Sequence, residues 1–166
     1  MHKEIVFIVD DEPMHAQMME DHLRSKYPHF EIHSYKTGEE CVDNMDKNPG
    51  IVILDYHLDS IDKTARNGIE ILNYITKQYP DTYTIMISGQ DNIDVAVECM
   101  RSGAYDYVVK NETSFVRTEA AIERLFQHRV VLHSNKQYKL VNRVLTIGMI
   151  AIVLFSLFMY FTGRIH

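Results

Sequence analysis

The strongest constraint on this chain comes from two short segments that contain only apolar side chains, residues 5–9 and 51–54. Four or five residues are too few for a buried helix, and a strand with one wet face would alternate polar and apolar positions. Runs that are apolar on both faces belong to strands covered on both sides, as in a parallel sheet enclosed by helices. The first 133 residues supply the alternation that such a sheet needs. Further strands are predicted at 30–35, 83–87 and 107–109. Helical spacing relates Ala16, Met19 and Leu23 after Pro13, and a short helix follows from Gly38 to about Lys47. Further stripes run through Ile69, Leu72, Ile75 and Tyr79, then through Ile93, Val97 and Met100 before Gly103. The last runs through Phe115, Ile122, Leu125 and Phe126. Asp11 and Glu12 are expected to favour the positive end of the first helix. Five strands alternating with five helices predict an α/β fold built on a five-stranded parallel sheet.

Charge divides the chain unevenly. All 23 Asp and Glu fall within the first 123 residues, while the last 43 hold six Lys and Arg and no acid. An acidic globule lacks the basic footprint of a nucleic-acid binder, so no nucleic-acid partner is expected. Two cysteines, Cys41 and Cys99, cannot make a disulfide framework and read as small apolar residues in a reducing compartment. The five apolar residues before Asp10 are too few for a secretory leader. Residues 144–163 carry no charged side chain. As a helix these 20 residues would span about 30 Å, the thickness of a bilayer's hydrocarbon core. Lys136, Lys139 and Arg143 precede them, which places the preceding globule on the cytoplasmic side. The expected organisation is a domain over 1–133, a linker over 134–143, a transmembrane helix over 144–163 and a short tail over 164–166.

In an open parallel sheet, functional groups gather beyond the carboxyl ends of the strands. The first strand is followed by Asp10 and Asp11, the third by Asp55, the fourth by Ser88 and the fifth by Lys110. Taken singly, these are helix caps, turn formers and a solvated lysine. Taken together, they put three carboxylates, a hydroxyl and an ammonium at one edge. Three converging carboxylates repel one another and call for a cation. An all-oxygen set suits Mg²⁺ better than zinc, which prefers His and Cys. A carboxylate beside Mg²⁺, with a lysine and a hydroxyl at hand, is equipped to accept a phosphoryl group, with Asp55 as the nucleophile.

The motifs VDDEP at 9–13, ILDYHL at 53–58, MISGQ at 86–90 and SGAYDYVVK at 102–110 resemble the receiver domain of two-component response regulators. The resemblance covers about residues 3 to 130. It implies a flavodoxin-like (βα)₅ receiver fold with strand order 2-1-3-4-5. It also implies Asp55 as phosphoacceptor and Asp10, Asp11, Asp55 and the backbone carbonyl of His57 as the Mg²⁺ ligands. Lys110 would bind a phosphoryl oxygen. Ser88 would be the switch hydroxyl, and Tyr107 the aromatic that turns inward when Ser88 engages the phosphate. The chain departs from the family in three places. Asn111 replaces the usual proline after the lysine, which predicts a trans bond there. The loop after Asp55, running to Gly68, is several residues longer than usual and lacks the common Met-Pro. His57 and Gln90 occupy the two positions that tune dephosphorylation.

The implied function is that of a membrane-tethered, single-domain response regulator at the cytoplasmic face of the bacterial inner membrane. Its expected phosphodonor is a sensor histidine kinase or a histidine phosphotransfer protein. Its output would be contact with a downstream protein, with a phosphorylation-dependent dimer as one form. No enzymatic activity is expected beyond Mg²⁺-dependent self-phosphorylation and self-dephosphorylation at Asp55. The rival reading is a receiver-like scaffold at the membrane that works without phosphorylation. An aspartate-nucleophile phosphatase would place an Asp-x-Asp pair on the first strand, which this chain lacks. His15 and His22, seven apart, read as surface residues of the first helix, and Met14 and Met18 as packing or surface.

Overall fold

The computed structural model describes residues 3–58, 67–130 and 145–150. Contacts divide the chain into two compact units, Met1–Ala121 and Ile122–His166. The first contains the whole sheet. Its strands are β1 (Ile5–Val9), β2 (Glu31–Tyr35), β3 (Ile51–Asp55), β4 (Tyr83–Ser88) and β5 (Asp106–Val109). All neighbours pair in parallel, in the order β2-β1-β3-β4-β5. The helices are α1 (Pro13–Lys26), α2 (Gly38–Asp43), α3 (Gly68–Gln78) and α4 (Ile93–Arg101), with α5 described over 114–130.

The central strands are buried because helices cover both of their faces. Every residue of β3 is buried, as are all but the first residues of β1 and β4. Phe7, Val9, Leu54, Leu72, Ile75 and Met86 belong to one core cluster. Cys41 and Cys99 are fully buried in the same cluster, and burial pushes their thiols up to about 12 and about 11. They are the small apolar residues that the sequence predicts.

Several elements differ from expectation. The segment from Gly38 to Lys47 splits into α2 and a 3₁₀ turn at Met45–Lys47, ended by Asn48 in the left-handed region at φ 54°. Glu12 caps α1 with no side-chain hydrogen bond, and its first turn holds no acid. Asp11 is instead drawn into the cluster at the sheet edge. The α4 stripe is turned around. Ile93, Val97 and Met100 are 78%, 42% and 48% exposed, whereas Cys99 is buried and Val95 packs partly against the core. A nine-residue helix needs only one inward face, and Val95 with Cys99 already supply it.

Two glycines make the topology possible. At Gly68 an added Cβ would strike the Asp55 carbonyl oxygen and lie 2.8 Å from the Tyr56 Cα, so only glycine lets α3 start against the end of β3. Gly103 closes α4 at φ 96°. In the second unit, residues 145–150 are helical and exposed. Among the described residues no helix is long and apolar enough to cross a membrane. The rest of the 144–163 segment, the 134–143 linker with Lys136, Lys139 and Arg143, and most of the loop after Asp55 lie outside the described residues.

Candidate functional site

The site follows from strand order. Because β1 lies beside β3, Val9 is level with Leu54, and Asp10 emerges next to Asp55. Asp55 in turn pairs with Ile87, and Ser88 with Val109, so Ser88 and Lys110 complete the same edge. Backbone bonds hold these strand ends in place. The Lys110 N–H donates to the Ser88 carbonyl at 2.7 Å, and that of Tyr56 to Ile87 at 2.8 Å.

Carboxylate oxygens of Asp10, Asp11 and Asp55 lie within 4.8 Å of one another, and all three residues are buried. The Lys110 ammonium enters this cluster. Its Nζ is 2.6 Å from Asp55 Oδ2, 3.0 Å from Asp10 Oδ2 and 3.7 Å from Glu12 Oε1. The peptide bond after Lys110 is trans, as Asn111 predicts. Asp55 Oδ1 accepts from the backbone N–H of His57 at 3.2 Å.

The three carboxyls are not equivalent. Burial would raise Asp10, yet the His15 hydrogen bond and the Lys110 charge hold it below its ordinary value. Asp11 is raised by burial and then by repulsion from Asp10. Asp55 is also raised, because burial outweighs the Lys110 bond and charge. Burial works against the Lys110 ammonium, but Asp55 and Asp10 more than compensate, and its affinity for its proton rises. Among the described residues, Asp11 Oδ2 is a buried oxygen with no hydrogen-bond partner. Three clustered carboxylates with an unsatisfied oxygen fit a hard, oxygen-seeking divalent cation of the Mg²⁺ kind.

Ser88 is fully buried, and its Oγ accepts from the Gln90 N–H at 3.2 Å. The Tyr107 hydroxyl donates to the Gln90 carbonyl at 2.7 Å. Burial pushes that phenol up, while the nearby Ser88 hydroxyl works the other way. Gln90 is thus held from both sides, by Ser88 and Tyr107, the two residues that the resemblance implies as the switch pair.

The two α1 histidines differ from expectation. His22 is half-buried, with its Nε2 3.1 Å from Glu119 Oε2. His15 is not a free surface residue: its Nδ1 lies 2.6 Å from Asp10 Oδ2, with only 16% of the side chain exposed. The available signal is positional. Pro13 starts α1, so His15 is its third residue, and third-residue side chains reach back toward the helix start. A cleft of about 460 Å³ opens beside Lys110 and is lined by Met14, His15, Met18 and Phe115 among others. Met14 and Met18 are surface residues of that cleft, 77% and 51% exposed.

Residues 6–123 match the response regulator receiver domain family. The nitrogen assimilation regulatory protein NtrX of Azorhizobium caulinodans is 31% identical over 137 residues, which cover 76% of this chain and 28% of that protein. The transcriptional regulatory protein CitB of Klebsiella pneumoniae is 24% identical over 132 residues, covering 78% of this chain and 53% of CitB. This chain therefore spans about a quarter to a half of the length of these curated relatives. Among solved structures, the receiver domain of NtrX from Brucella abortus superposes with a TM-score of 0.61 at 29% identity. The match covers 71% of this chain and 98% of that domain.

The unsatisfied charge on Asp11 has a measurable consequence. Its proton affinity is raised in the folded state above the ordinary 3.8, so Asp11's own contribution to stability falls as pH rises past that value and it ionises. In chelator at neutral pH, Asp11→Asn is expected to raise the thermal midpoint by a few degrees, about 2–4 °C for each kcal/mol in a chain of this size. A lower midpoint in differential scanning calorimetry would mean that the Asp11 carboxylate is satisfied in the fold.

Proposed function

The chain belongs to the response regulator receiver family, and we propose that it accepts a phosphoryl group on Asp55 from a sensor histidine kinase or a histidine phosphotransfer protein. Receiver domains take phosphoryl groups from histidine kinases and bind Mg²⁺ at an acidic pocket. The observation that carries the reading for this chain is the Lys110 ammonium, shared between Asp55 and Asp10 beside the unsatisfied oxygen of Asp11.

Asp10, Asp11 and Asp55, with the backbone carbonyl of His57, would hold one Mg²⁺, which supplies charge to neutralise the oxygens of the transferring group. The Lys110 bond and charge offset part of the cost of burying the Asp55 carboxylate, which is the nucleophile. One Asp55 carboxylate oxygen attacks the phosphorus of a phosphohistidine. The P–N bond breaks, its electron pair stays on the donor imidazole, and an acyl phosphate forms on Asp55. The Lys110 ammonium moves with the negative charge to a phosphoryl oxygen. The cleft beside Lys110 gives the donor ring a way in. The chemistry proposed for this domain is phosphorylation and dephosphorylation at Asp55.

The response starts at Ser88. To bind a phosphoryl oxygen, Ser88 reorients and weakens its hold on the Gln90 N–H, and Tyr107, whose hydroxyl bonds the Gln90 carbonyl, turns inward. The β4–α4 loop then moves, and α4 follows. The outward Ile93, Val97 and Met100 give that helix an apolar face for a downstream protein or a second copy of the chain.

After incubation of the full chain with acetyl phosphate and Mg²⁺, intact-mass analysis is expected to show one added phosphoryl group, and none in Asp55→Asn. Ser88→Ala should still be modified but lose the amide shift changes around Tyr107. A wild-type chain that stays unmodified by small phosphodonors and by histidine kinases would favour the scaffold reading.

We also propose membrane attachment through residues 144–163, at the cytoplasmic face, on the strength of their 20 uncharged residues and the preceding Lys136, Lys139 and Arg143. The full chain should stay with membranes through carbonate extraction. Release by salt alone would show an electrostatic association instead.

A further inference from the structure

We infer that His15 is a positioning residue for Asp10, fixing which carboxylate oxygen is offered to the cation; the inference rests on the reading of Asp10 as a cation ligand. A carboxylate accepts but cannot donate, so the Nδ1 facing Asp10 carries the hydrogen. An ionised carboxylate has about four lone-pair directions. Three of those in Asp10 are occupied. Oδ1 accepts from the Glu12 N–H at 2.9 Å, and Oδ2 takes both His15 Nδ1 at 2.6 Å and Lys110 Nζ at 3.0 Å. The direction left open is on Oδ1. Without His15, the carboxylate is free to rotate and present either oxygen, and a metal ligand loses affinity when its orientation is not fixed.

The imidazole is itself braced. Its face stacks on Phe115 with ring centres 5.5 Å apart and planes 28° apart, and Phe115 stacks in the same way on His22 at 5.9 Å. His22 Nε2 meets Glu119 Oε2 at 3.1 Å, and Lys26 holds Oε1 of the same carboxylate at 2.8 Å. The Asp10 carboxylate is therefore tied through His15 and Phe115 to a polar seam between α1 and the first turns of α5. A ring used only for packing would not need a 2.6 Å bond to a carboxylate that is 4% exposed.

Isothermal titration of the full chain with Mg²⁺ tests this assignment. His15→Phe keeps the stacked ring and removes the donor, and its dissociation constant is expected to rise about tenfold, the low end of the usual loss for such a partner. His15→Asn places an amide N–H where Nδ1 stood and should stay within about threefold of wild type. If His15→Phe does not fold, Phe115→Leu removes the brace with Asp10 and His15 intact and should weaken Mg²⁺ severalfold. Wild-type affinity in His15→Phe or Phe115→Leu, or an equal loss in the Phe and Asn variants, would overturn the positioning role. A wild-type chain that does not bind Mg²⁺ would instead contradict the cation site itself, and the role of His15 with it.

Discussion

The Lys110 ammonium is the charge on which the sheet edge depends. Three buried carboxylates converge there because the strand order β2-β1-β3-β4-β5 leaves no other place for the residues that end β1 and β3. Lys110 comes from the end of β5, two strands away from β3, and its long side chain crosses β4 to reach Asp55 and Asp10. Taking such charges out of water is expensive, and only close geometry offsets it. With Asp55 3% exposed and Lys110 13% exposed, the pair is deep enough for the loss of one partner to be felt by the whole fold. Among the described residues one ammonium faces the three carboxylates, and Asp11 Oδ2 has no hydrogen-bond partner.

That imbalance joins structure to function. The unsatisfied Asp11 oxygen fits a divalent cation, and on the proposed function a phosphoryl group would join it there. Asp10 is satisfied by the protein, through Glu12, His15 and Lys110, and Asp11 is not. On the far side of Asp55, Ser88 and Tyr107 hold the two ends of one peptide residue, Gln90. Ser88 and Tyr107 thus share a hydrogen-bonded loop leading into α4, the loop on which the proposed phosphorylation would act.

Much of this was legible in the sequence, for a physical reason. A parallel sheet buried on both faces has apolar strands, and the first polar residue after each apolar run marks the edge where ligands bind. Asp10, Asp11, Asp55, Ser88 and Lys110 were found this way, and the structure brings the three carboxylates and the ammonium into contact. Helix faces were harder to read. In α4 the residues at helical spacing, Ile93, Val97 and Met100, describe one side correctly but cannot say which way it points. Cys99 and Val95 on the opposite side won the core. Helical spacing does not report the role of His15, because spacing along a helix finds partners on that helix, whereas its partner is the strand-end residue five positions earlier. The 3₁₀ turn after α2 is set by Asn48 in the left-handed region just before Pro49, a local conformation that hydrophobic periodicity does not report.

A double-mutant cycle on Lys110 and Asp55, read by chemical denaturation in chelator, tests the central claim most directly. Lys110→Met alone should cost about 3–5 kcal/mol, as expected when one member of a buried pair is removed. In the Asp55→Asn background the same substitution should cost less by at least about 1 kcal/mol, because one of the two carboxylates it neutralises is gone. Additive effects of the two substitutions would contradict the account, since they would mean that Lys110 does not hold the carboxylates of the sheet edge together.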